Sequence, residues 1–181
     1  MHKLPAPDRA ALHEAALRHL SRYAATEAGL TRVLERRIAR WAREAGAEPE
    51  ETAPALLAAR EVARALAGAG VVNDAAFAEA RARRLHRAGR SRRAVAAHLV
   101  AKGVDPALAA RITPGDELAA ALAYACSRRF GPFRAAPADP DRLRRELAAL
   151  ARAGFPRDVA ERALRMPPDD ALALVTELKQ G

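Results

Sequence analysis

Residues 70–106 read GVVNDAAFAEARARRLHRAGRSRRAVAAHLVAKGVDP, and the punctuation of this stretch decides the fold. It opens on Gly70-Val71-Val72-Asn73-Asp74 and closes on Gly103-Val104-Asp105-Pro106, so each end stops one helix and supplies the start of the next. Gly89 divides the interior into two helical runs, with Asn73 or Asp74 capping the first and Ser91 the second. Phe77, Ala78 and Leu85 recur at helical spacing in the first run, and Val95, Leu99 and Val100 in the second. Arg81, Arg83, Arg84, Arg87, Arg90, Arg92, Arg93 and Lys102 fall in the same stretch, and no Asp or Glu interrupts them. This is a basic helical hairpin.

Working outward, the junction Leu-x-x-x-Gly-apolar occurs three times, at Leu66–Val71, Leu99–Val104 and Leu150–Phe155. Each is followed closely by a helix start, and a glycine stop repeated in this way indicates tandem three-helix units. The spacings are unequal, so the connecting segments differ in length. Period-two alternation and Asn-Gly turns are missing, which leaves an all-α chain.

On these signals Asp8 caps a helix running to about Tyr23, with Leu12, Ala16, Leu20 and Tyr23 on one face. Gly29 breaks the chain and Thr31 begins a second helix carrying Val33, Leu34, Ile38 and Trp41, which ends at Gly46. Residues 48–52 form a polar linker, and the next helix carries Leu56, Leu57, Val62 and Leu66. Asp105 and Pro106 start a short helix, Thr113-Pro114-Gly115 turns, and Asp116 opens a helix through Leu118, Leu122 and Cys126 to Phe130. Residues 131–139 form a Pro-rich, flexible loop. Asp141 then opens a helix ending at Gly154, Pro156 opens another with Val159 and Leu164, and a last amphipathic stretch carries Leu172, Val175 and Leu178. The expected organisation is a tail over 1–9, repeats over 10–70, 71–113 and 114–166, and a C-terminal helix over 167–181.

The 181-residue composition agrees with small helical units. Half of the residues are apolar but aromatics make up 4%, so the alanine-rich helices pack closely without a large single core. Thirty-one Lys and Arg against 22 Asp and Glu give a formal charge of +9, and the pI is near 11.0. Such a chain favours a polyanionic partner. One cysteine, Cys126, excludes an internal disulfide and a cysteine zinc cage. The N-terminal MHKLPAPD lacks the apolar core of a signal peptide, and no apolar run reaches the length of a membrane span. A cytoplasmic protein without membrane contact is expected.

Chemistry-bearing motifs are few. Gly68-Ala69-Gly70 lacks the rest of a dinucleotide fingerprint, and no phosphate-binding GxxxxGK[ST] loop occurs. His13-Glu14 begins a helical zinc motif, but the second ligand position is Leu17. Cys126 reads as a small core residue, and Asp169-Asp170 as a helix cap. His86 and His98 sit among arginines within reach of a phosphate, with solvated or half-buried roles favoured over that contact. We expect no catalytic site, no cofactor and no metal. Surface chemistry remains. Besides residues 81–102, basic sets occur at Arg32, Arg36, Arg37, Arg40 and Arg43, relieved by Glu35 and Glu44, and at Arg128, Arg129, Arg142, Arg144 and Arg145. Arginine suits bidentate contact with phosphate or carboxylate.

These residues carry a family resemblance. Ala16–Ala24 (ALRHLSRYA), Leu30–Ile38 (LTRVLERRI), Gly70–Glu79 (GVVNDAAFAE) and above all Gly89–Val104 (GRSRRAVAAHLVAKGV) resemble RecX, the bacterial regulator of the RecA recombinase, in its alphaproteobacterial form. The resemblance covers most of Leu12 to Leu164, with Asn73 where the family usually shows Asp. It implies tandem three-helix repeats in an elongated, curved array and no active site. It also implies binding to RecA and its filament on DNA, inhibition of ATP hydrolysis and strand exchange, and so modulation of recombination and the SOS response. As interaction residues it points to Arg83, Arg87, Arg90, Arg92, Arg93 and Lys102, supported by Phe77, Val95 and Leu99. Arg32, Arg36, Arg37, Arg40, Arg128, Arg129, Arg144 and Arg145 are secondary. A monomer that also touches single- or double-stranded DNA is expected. The competing reading is a nonspecific DNA-binding helical protein, since two short helices joined at Gly89-Arg90 look superficially like a helix-turn-helix.

Overall fold

The computed structural model describes residues 5–112 and 115–180. They form ten α-helices and no strand: α1 (Arg9–Leu20), α2 (Glu27–Ala45), α3 (Pro49–Gly68), α4 (Asp74–Arg87), α5 (Arg92–Ala101), α6 (Pro106–Arg111), α7 (Glu117–Arg128), α8 (Pro140–Arg152), α9 (Arg157–Arg165) and α10 (Pro168–Gln180). Two compact units result. The first takes the chain up to Phe77 together with Lys102–Val104, and the second takes Ala78–Ala101 and the chain from Asp105 onward. In the first, α1, α2 and α3 enclose Leu12, Leu30, Leu34, Ile38, Val62 and Leu66. In the second, Leu122 on α7 meets Leu150, Phe155, Leu164 and Val175.

Several helix ends differ from the sequence expectation, each for an identifiable reason. Gly29 does not break the chain: α2 starts at Glu27 with Thr26 as its cap, and Gly29 lies in the first turn. A Cβ at Gly29 would lie 2.9 Å from the Thr26 hydroxyl, so glycine is there for close approach. Residues 48–52 are not a linker. Glu48 caps α3, and the Glu51 carboxylate accepts from the Glu48 N–H at 2.8 Å, a capping box that overrides the polar composition. Asp139, not Asp141, caps α8. Tyr23, Leu57, Val71, Val100 and Leu172 are exposed rather than inward, and Val72 and Ala171 take the buried positions beside two of them. Phe77 is half-buried. The turn expected at Thr113-Pro114 lies outside the described residues.

The 131–139 segment is not uniformly loose. Residues Gly131–Phe133 form a 3-10 turn, and Gly131 is buried so tightly that a Cβ would lie 2.8 Å from the Leu164 backbone. Glu146, 2% exposed, anchors the turn by accepting from the Gly131 N–H at 3.0 Å and pairing with Arg134 at 2.9 Å and Arg142 at 3.2 Å. Burial pushes its carboxyl pKa up, but the bonds from Arg134, Gly131 and Arg142 outweigh burial and hold it below the usual 4.5.

One arrangement occurs twice. In the first unit the buried Thr26 hydroxyl accepts from the Gly29 N–H at 2.9 Å and donates to the Lys102 carbonyl at 2.7 Å, immediately before Gly103. The next N–H, that of Glu27, donates to the carboxylate of Asp74, the first residue of α4, at 2.9 Å. In the second unit the buried Ser91 hydroxyl accepts from Ala94 N–H at 3.2 Å and donates to the Ala153 carbonyl at 2.7 Å, immediately before Gly154. The next N–H, that of Arg92, donates to the carboxylate of Glu117, the first residue of α7, at 3.1 Å. Each node gathers one helix N-terminus, the first residue of a later helix and a glycine-terminated helix end. The glycines have φ of 93° and 92°, and a Cβ on Gly154 would come within 2.7 Å of the Ser91 hydroxyl.

Paired C-terminal bonds close three glycine stops. Val71 and Gly70 donate to Leu66 and Ala67, Arg90 and Gly89 to Leu85 and His86, and Phe155 and Gly154 to Leu150 and Ala151. A fourth stop uses Arg129, which sits at φ 56° where glycine is usual.

Two outcomes follow from these contacts. Ser91→Ala strands a part-buried carbonyl and removes a cap, so it should cost about 2 kcal/mol in urea unfolding, and Gly154→Ala should cost at least as much; losses under about 0.5 kcal/mol would rule out the node as a stabilising element. For Glu146, a depressed pKa means its contribution is complete above pH 4.5 and is lost as pH falls through the folded value. Glu146→Gln should therefore be less stable at neutral pH, and its deficit should narrow below pH 4.5; a deficit independent of pH would contradict this.

Candidate polyanion interface

The basic stretch folds as the end of α4, a turn at Gly89 and the start of α5. Gly89 has φ 75°, and a Cβ there would lie 2.7 Å from the Tyr124 backbone nitrogen, so the turn is laid directly on α7. The arginines around it therefore spring from a fixed backbone. Arg83, Arg87, Arg90, Arg92 and Arg93 are exposed and belong to the second unit, whereas Lys102, also exposed, belongs to the first.

Their engagements separate them. Arg83 faces Glu79 at 3.9 Å with both side chains exposed, a pair that costs little to break. Arg92 is held internally: its guanidinium donates to the Gly115 carbonyl at 2.7 Å and lies 3.5 Å from the buried Glu117 carboxylate. Burial raises the Glu117 pKa, against the Arg92 N–H and charge, which lower it. Arg87, Arg90, Arg93 and Lys102 make no ion pair among the described residues. Arg93 packs its stem beside Gly154 and, with Arg92, borders a cleft of about 470 Å³ floored by Phe155 and Val159. Arginine cations beside an apolar floor suit an anionic partner carrying some hydrophobic surface.

His86 is a correction. It is 2% exposed, packs beside Gly115 and is buried away from any phosphate. Neither ring nitrogen has a hydrogen-bond partner among the described residues. Burial lowers its pKa below 6.5 and Arg92 lowers it further, with the Asp116 charge and the backbone of Arg90 and Asp116, close by but outside hydrogen-bond geometry, only partly opposing. His98 is half-buried and accepts from Arg81 Nε at 3.1 Å.

The secondary sets divide in the same way. Arg32 donates to the Lys102 carbonyl at 2.8 Å, supporting the first node. Arg128 lies over the Tyr124 ring at 5.3 Å, Arg129 ends α7, Arg144 pairs with Asp141, and Arg145 is exposed. Arg36, Arg37 and Arg40 are exposed along α2. Sequence reasoning missed Glu117, whose partner is remote in the chain, and Arg18 and Arg22, which border one concavity with Arg36, Arg37 and Arg40. Among the described residues no His, Cys, Asp and Glu cluster could hold a metal ion, and no helix is long and apolar enough to cross a membrane.

The described residues define an all-α class of protein, with ten helices in two compact units and exposed cations on each. A family profile described as the second three-helix domain of RecX matches residues 73–111. The regulatory protein RecX of Myxococcus xanthus is 39% identical over 163 residues, 87% of this chain and 86% of its own. That of Agrobacterium fabrum is 32% identical over 111 residues, 61% of this chain and 60% of its own. No solved structure matches. The chain belongs to the RecX family of regulatory proteins.

The orphaned histidine gives a solvent-independent check. With its folded pKa depressed, neutral His86 is tolerated above pH 6.5, and stability falls as pH drops below that value. His86→Leu should therefore gain on the parent protein as the pH is lowered from 8 to 5.5 in urea titrations; an unchanged difference would refute the assignment.

Proposed function

We propose that this protein binds the RecA recombinase and its filament on DNA, and restrains ATP hydrolysis and strand exchange. The observation that carries the reading is the trio Arg87, Arg90 and Arg93, exposed and free of ion pairs on a turn fixed against α7, inside the segment resembling the second RecX domain. Arg83 extends the basic surface, Lys102 adds a cation on the first unit, and Arg92 chiefly positions the turn through Glu117. The partner surface is a RecA carboxylate patch or filament DNA, met by a monomer in the cytoplasm that also touches single- or double-stranded DNA.

We further propose the division into repeats over 10–70, 71–113 and 114–166, with 1–9 and 167–181 as flanking segments. Each node would then join the second helix of one repeat to the first helix, and to the second helix end, of the next. The recurrence of the node supports this assignment.

Adding the protein to RecA on single-stranded DNA should lower ATP turnover. The variant Arg87→Glu/Arg90→Glu/Arg93→Glu should need at least about tenfold more protein for the same inhibition, because charge-assisted contacts are replaced by like-charge repulsion. Unchanged turnover with the parent protein would sink the regulatory reading. Equal potency of parent and variant would remove this face from it.

A further inference from the structure

A second basic concavity lies wholly within the first unit, between α1 and α2. It encloses about 530 Å³ and is bordered by Arg18, Arg22 and Tyr23 on one side and Arg36, Arg37 and Arg40 on the other. Five cations thus converge on one groove, and the carboxylates nearby do not neutralise them. Glu14 faces Arg18 at 3.7 Å with both side chains exposed, and Glu35 turns to Arg60 on α3 at 3.7 Å. Arg22, Arg36, Arg37 and Arg40 make no ion pair among the described residues. Arg36 and Arg40 are also like charges four residues apart on α2, a spacing that destabilises a helix. An anion seated in the groove relieves that repulsion.

Tyr23 identifies the anion. It is 62% exposed, just beyond the end of α1, and its ring leans on that of His19 with centroids 5.3 Å apart. The ring contributes nothing to the core, yet it is held at the groove's edge among arginines. Phosphates with an exposed π-face are what a single-stranded polynucleotide presents, whereas a duplex hides its base faces and an acidic peptide has none. We propose that this groove is a single-strand binding site. The arginines of α1 and α2 take the backbone phosphates, and an unstacked base lies on Tyr23. The inference rests on the reading of this chain as one that touches DNA directly, and it assigns that contact to a place and a mode.

The test uses the full chain without RecA. Anisotropy of a labelled short oligothymidylate is compared with an abasic strand of equal length, a duplex of equal length and a polyglutamate peptide. Tyr23→Ala should weaken oligothymidylate binding about tenfold without altering the salt slope or the affinity for the abasic strand, and Tyr23→Phe should bind as the parent does. Arg36→Gln/Arg40→Gln should weaken both strands and lower the salt slope by about 0.7 per lost phosphate contact. Tyr23 is exposed, and unchanged urea unfolding of Tyr23→Ala would show the fold is intact. Equal loss on thymidylate and abasic strands, or no loss on either, would overturn base stacking. Equal or tighter binding of duplex or polyglutamate would overturn single-strand recognition. If the parent inhibits RecA turnover while Tyr23→Ala changes nothing, the groove falls and the functional reading stands. If Tyr23→Ala loses thymidylate selectively while RecA turnover is unaffected by the parent, the reverse holds.

Discussion

A hydroxyl that serves two helix ends at once underlies this structure. Thr26 and Ser91 each satisfy an N–H of their own helix and a carbonyl at the end of another, and both are sealed from water. Helix termini leave backbone donors and acceptors without intrahelical partners, and burying them unpaired is expensive. Joining a donor-poor end to a donor-rich one through a single side chain removes two such penalties together. Short helices with small alanine faces bury little area each, so fixed ends supply the orientation that a large core would otherwise give.

The same economy governs charge. Of the many arginines, those near buried carboxylates have internal work: Arg134 and Arg142 hold Glu146, and Arg92 rests on Glu117. Others lie on fixed backbone with nothing opposite them. Net positive charge alone would not separate these groups, because exposed guanidinium groups look alike in composition. Their acidic partners separate them, and one of these, Glu117, lies 25 residues from Arg92.

Much of the fold was legible from the chain. The glycine stops at Gly46, Gly70, Gly89, Gly103 and Gly154 all adopt positive φ, and Asp8, Asn73, Ser91, Asp105 and Asp116 all cap helices. These features are local, so residue identity encodes them. The failures were of two kinds. Sequence makes Gly29 a breaker and residues 48–52 a linker, although the Thr26 cap and the Glu48–Glu51 capping box turn these positions into helix starts. The spacing of Tyr23, Leu57 and Leu172 suits an inward face, but Tyr23 lies beyond the end of α1, and Ala55, Ala59 and Ala171 are the buried residues near the other two. For the interface, sequence located the basic hairpin correctly as exposed, but misjudged His86 and did not foresee that Glu117 engages Arg92. Long-range pairing has no signature in one sequence.

The twin nodes also bear on how such a chain can change over time. Each is specified by a small hydroxyl residue, an acidic residue and a glycine, separated by long stretches that contribute mainly backbone atoms to it. Threonine stands for serine and aspartate for glutamate between the two copies without altering the bonding scheme. Other positions can therefore vary, a connection lengthen or a surface change, while the docking scheme persists so long as these three kinds of residue are kept.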